Sequence, residues 1–160
     1  MICAPVFFNH ATSPVFMFYF LPPLFVLAAA ANLIAAMIIY FLATKFFSIK
    51  VRGNQALRMI FGLWLIDLIA YLFGSLFLVT IGMLGKKFHV LLIDYDMIYS
   101  SLVSTLLFAS AVLLSALIIY VLNYFYLSMY LTKKQAARVA LLFAILTAPY
   151  PFLIPASFLY

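Results

Sequence analysis

Three carboxylates, two histidines and one cysteine are this 160-residue sequence's entire supply of strong metal ligands and neutral-pH proton carriers. Their spacing separates them. Asp67 stands alone inside an apolar stretch, nine residues after Arg58, about 13 Å along a helix. An ionisable group at that depth costs roughly 3 kcal/mol or more and faces protein or water. Asp67 is therefore the candidate ion- or proton-binding group; the structural alternative is a hydrogen bond to Tyr71, one turn on, or to a polar side chain of another helix. His89 precedes Asp94 and Asp96 by five and seven residues, a spacing that matches no metal motif, and reads as a solvated loop. His10 has no neighbouring histidine, and the lone Cys3 permits no intrachain disulfide. No nucleophile, base and orienting group fall together, and no phosphate or dinucleotide fingerprint is present. The expectation is a protein that is not an enzyme and holds no cofactor or metal centre.

The elements that must position Asp67 are set by composition. The chain is 70% apolar and 8% charged, against roughly 25% charged in soluble domains. That excludes a soluble fold, an intrinsically disordered chain and a basic nucleic-acid-binding face. Four stretches are long enough to cross a bilayer as helices: about 24–47, 56–84, 97–131 and 139–160. Pro22 and Pro23 suit a helix start, where a missing amide donor costs nothing. Pro149, Pro151 and Pro155 interrupt the fourth stretch, so a regular helix is not expected past Ala148. The expected fold is an all-α integral membrane bundle of four transmembrane helices in a single domain, the fourth broken by prolines.

Basic residues orient the spans. Lys45, Lys50, Arg52 and Arg58 flank the first connection, with Gln55 among them; Lys133, Lys134 and Arg138 flank the third, with Gln135. The second connection has Lys86 and Lys87. Seven cations against two place the loops at about 45–58 and 132–138 in the cytoplasm, and both termini outside. The first cationic side chain is Lys45, so no cleavable leader is expected. A cytoplasmic (inner) membrane fits best. Asn32, Asn123, Tyr71 and Ser115 are the candidates for polar packing between helices.

Sliding the chain by half its length exposes a repeat. Residues 17–58 match residues 97–138 at 15 of 42 ungapped positions, where chance gives about one in ten. The matches include Ile38-Ile39-Tyr40 against Ile118-Ile119-Tyr120. They continue through the polar loop as Ser48/Ser128, Gln55/Gln135, Ala56/Ala136 and Arg58/Arg138. Identity in a polar loop is more telling than in apolar helices, which resemble one another by composition. The reading is two tandem parallel-repeat hairpins, 17–80 and 97–160, in which Asp67 corresponds to Thr147.

A duplicated hairpin with Gln and Arg in its loop is similar to the proteolipid subunits of rotary ATPases. That family would place glycine in the inner helices and its carboxylate farther from the loop. The first and third spans here contain no glycine, so no family is assigned. The expected function is a non-catalytic subunit of a larger membrane complex, in contact with lipid and other membrane subunits. The alternative is a small ion or proton translocator using Asp67.

Overall fold

The computed structural model describes residues 22–49, 53–88, 92–94 and 97–154. Cys3, His10, Lys50, Arg52, His89, Asp96 and Pro155 lie outside them. The described residues are all-helical, without strands: α1 (Pro22–Phe46), α2 (Gly53–Lys87), α3 (Leu102–Leu127) and α4 (Lys133–Leu146). Short 3-10 turns occupy Ile98–Ser100 and Tyr150–Leu153. Four stretches are long and apolar enough to cross a membrane, the fourth counted from Lys133 to Leu153. The protein is multi-pass in that sense.

Two helix starts are shifted from the sequence expectation by five residues or more, for local reasons. Helix α4 begins at Lys133 rather than near residue 139, because Thr132 caps it. The Thr132 hydroxyl oxygen accepts from the Gln135 amide, while the Gln135 side chain reaches back to the Thr132 amide. This reciprocal capping box satisfies two donors that a helix start leaves orphaned. Helix α3 begins at Leu102 rather than at Met97, because Ser101 is extended and separates it from the 3-10 turn.

Helix α1 closes by a different device. Ser48 takes a left-handed conformation (φ 51°), its amide donating to Lys45 O at 3.4 Å and the Ile49 amide to Thr44 O at 2.9 Å. That is the Schellman pattern, with serine in the position where glycine is usual.

Each helix packs against two others: α1 on α2 and α4, α3 on α2 and α4. The four close into a ring. Helices this apolar carry no polar face to point outward, so the buried stripe is set by size and polarity instead. On α2 the stripe runs Met59, Leu63, Asp67, Ala70, Gly74 and Leu78. On α3 it runs Phe108, Ala111, Ser115, Ile119, Asn123 and Leu127. Both follow three- and four-residue steps, the period of one helical face. Small residues let the backbones approach. Gly62 faces the Tyr126 ring and Gly74 faces Ser115, so α2 and α3 run antiparallel. Leu113, Phe125, Phe73 and Phe41, each more than half exposed, turn outward. The interior therefore gathers the polar side chains, and the exterior is apolar.

Candidate functional site

Asp67 sits near the middle of α2, at the inner stripe, and is completely buried. Its carboxyl faces Asn123 of α3 and Thr147, the residue that caps the end of α4. Asn123 is also completely buried and Thr147 is 4% exposed. Three helices thus converge their polar side chains on one point. The residues are 56 and 80 apart in sequence from Asp67, and only the ring closure brings them together.

Hydrogen bonding at this point is incomplete. Neither Asp67 oxygen, nor either end of the Asn123 carboxamide, has a partner in hydrogen-bond geometry. Buried polar atoms are paired in more than roughly nine cases in ten, so this cluster is exceptional. Thr147 is engaged elsewhere: its hydroxyl donates to Phe143 O at 2.9 Å, and its carbonyl accepts from the Tyr71 hydroxyl at 2.5 Å. Tyr71 therefore bonds across from α2 to the end of α4.

The other polar candidates are placed as follows. Ser115 lies two turns from Asn123 along α3, against Gly74, and its hydroxyl oxygen has no partner. It belongs to the α2–α3 close approach, not to the Asp67 cluster. Asn32 is half-buried on α1, its amide nitrogen likewise unpartnered. The neighbouring tie between α1 and α2 is made instead by Trp64, whose indole N–H donates to Ala29 O at 2.9 Å. Sequence reading did not single out Trp64, and a lone Trp in an apolar helix gives no signal of its partner.

The basic loop residues collect at one end of the ring. Arg138 of α4 stands over the Phe47 ring that follows α1, 5.9 Å from its centroid, a cation–π contact between the two connections. Lys45, Arg58, Lys133 and Lys134 are exposed, as is Gln55, while Gln135 is occupied in the capping box. Asp94, in the other connection, accepts from the Met97 amide at 3.0 Å and its own amide donates to Ser104 Oγ at 3.2 Å. It ties residues 92–94 to the head of α3. Among the described residues no three His, Cys, Asp or Glu side chains cluster as a metal site.

No known protein family, curated protein or solved structure matches this chain.

Proposed function

We propose that this protein is a non-catalytic integral membrane subunit of a larger membrane complex. One observation carries the reading. Helix α4 has 14 residues, about 21 Å of helix, short of the ~30 Å hydrocarbon thickness. Pro149 and Pro151 forbid its continuation, and the chain proceeds as a 3-10 turn. The inner side of this turn is covered: Phe152 is 1% exposed and the Tyr99 hydroxyl donates to Leu153 O at 2.8 Å. The outer side is not, with Tyr150 49% and Ile154 46% exposed. Irregular backbone at membrane depth persists only where protein or a lined cavity covers it. A second subunit seated on this face supplies that cover.

Orientation and ancestry belong to the same reading. The clustered basic loops lie in the cytoplasm, and the ends of the chain on the other side of an inner membrane. The bundle descends from a duplicated hairpin; the meeting of Asp67 with its repeat counterpart Thr147 supports this, since equivalent positions in a two-fold repeat face one another near its axis.

Photo-crosslinking side chains at positions 150 and 154, with the lipid-facing position 113 as control, test the subunit reading in native membranes. Protein adducts from 150 and 154 but not 113 are expected, and a complex larger than 18.1 kDa on gentle extraction. Lipid adducts alone, with a monodisperse monomer, refute it. A second reading, a translocator using Asp67, draws on the unpaired Asp67 oxygens. Ion flux through reconstituted liposomes that is equal in wild type and Asp67→Asn removes Asp67 from any such role.

A further inference from the structure

The Asp67 cluster leaves its buried polar atoms unpaired. Thr147 has one hydroxyl proton, and it is committed to Phe143 O. The Thr147 carbonyl already accepts the Tyr71 proton. Both Asp67 oxygens and the Asn123 carboxamide are completely buried without partners. Helix α4 ends at Leu146, so the negative end of its dipole lies at the same place. When ionised, a carboxylate buried beside a helix C-terminus is balanced by one positive charge held at the same place.

The chemistry of the donors selects that charge. They are hard oxygen ligands with no sulfur and no imidazole among them, which disfavours transition metals. They carry one formal charge, so a divalent ion would leave an excess charge buried in an apolar bundle. The nearest basic side chain along α2, Arg58, is exposed and more than two turns away. Discontinuous helices in membrane transporters commonly use a carboxylate, side-chain oxygens and a helix end of this kind to hold a monovalent ion.

We propose that Asp67, Asn123 and Thr147 bind one alkali cation between α2, α3 and the end of α4. The proposal concerns occupancy rather than passage. It stands whether the protein works alone or within a complex.

The test uses the purified full chain in mild detergent, melted in NaCl, KCl or choline chloride at equal ionic strength. Fluorescence of the single tryptophan, Trp64, follows unfolding. Binding to the folded state alone raises Tm with cation concentration. Wild type should melt higher in NaCl or KCl than in choline chloride, and Asp67→Asn should lose the difference entirely. Thr147→Val, which removes one neutral ligand, should need about tenfold more cation for the same shift. Should Asp67→Asn fail to fold, Thr147→Val and sodium NMR linewidths on wild type decide: excess broadening that potassium or lithium displaces supports the site. Identical melting of wild type in all three salts, or equal shifts in wild type and Asp67→Asn, overturns it.

Discussion

Gly62 is where the packing of α2 on α3 can be tested most sharply. A Cβ at this position would come within 2.5 Å of Tyr126 Cε1, about 1 Å inside an optimal carbon–carbon contact, and the rest of the ring end is no farther away. The ring cannot simply swing aside. Its hydroxyl donates to Arg58 O at 2.8 Å, and its ring makes an edge-type contact with Tyr130 at a centroid distance of 5.5 Å. In Gly62→Ala the overlap costs about 1–3 kcal/mol. Displacing the hydroxyl from Arg58 O costs about 1 kcal/mol more. Replacing glycine in a helix interior returns up to about 1 kcal/mol. The net expectation is a loss of about 1–3 kcal/mol of stability. The same change in a Tyr126→Ala background no longer meets the ring end and should be neutral or stabilising. The sign reversal is the signature, read by reversible unfolding in detergent with Trp64 fluorescence. An equal cost of Gly62→Ala in both backgrounds would falsify the packing described.

Ser48→Gly should stabilise the protein by about 0.5–1 kcal/mol, because it relieves a left-handed residue with a Cβ while keeping both Schellman hydrogen bonds; a lower Tm would contradict it. Thr132→Ala removes the acceptor for the Gln135 amide and should cost about 1 kcal/mol, with faster hydrogen exchange confined to the first turn of α4. Tyr71→Phe deletes the bond to Thr147 O and should cost about 0.6–2 kcal/mol, read as a lower midpoint with unchanged helix content. For topology, Lys134→Cys in a Cys3→Ser background should react with an impermeant maleimide only from the cytoplasmic side, and Met97→Cys only from the opposite side.

Spans were legible because length and composition dominate a membrane chain: α1 and α2 fall within three residues of their expected bounds. The inward, buried placement of Asp67 was legible because a lone acid in an apolar run faces protein or water rather than hydrocarbon. The early start of α4 was written in the sequence as Thr132-x-x-Gln135, a capping signature that hydrophobic scanning passes over. Partnerships were not legible. Helices apolar on every side have no amphipathic period to say which face turns inward, so the pairing of Gly62 with Tyr126, or of Trp64 with Ala29, depends on shape alone. Nothing in the local sequence marks Thr147 as a companion of Asp67; only the eighty-residue register connects the two.

On the proposed duplicated-hairpin reading, that register accounts for an asymmetric site in a symmetric frame. Ala43 occupies the position equivalent to Asn123, and Ala35 that of Ser115, so at these two positions the first half is apolar where the second is polar. Asp67 reverses the pattern, with the acid in the first copy and a hydroxyl in the second. Had both copies carried the acid, two carboxylates would meet at the centre of the ring, and like charges at such close range cannot both remain ionised. Had neither carried it, the carboxamide would face a hydroxyl that is already bonded. One acid opposite one threonine gives at most a single negative charge with neutral oxygen ligands beside it, which is the composition the proposed monovalent-cation site requires. On this reading symmetry supplies the meeting point, and divergence between the copies sets the charge placed there. A Thr147→Asp substitution therefore tests the argument from the other side. It should destabilise the folded protein in choline chloride more than in NaCl, since a second carboxylate raises the demand for a counter-ion at the same place. An equal loss in both salts would mean that the centre of the ring answers to packing alone.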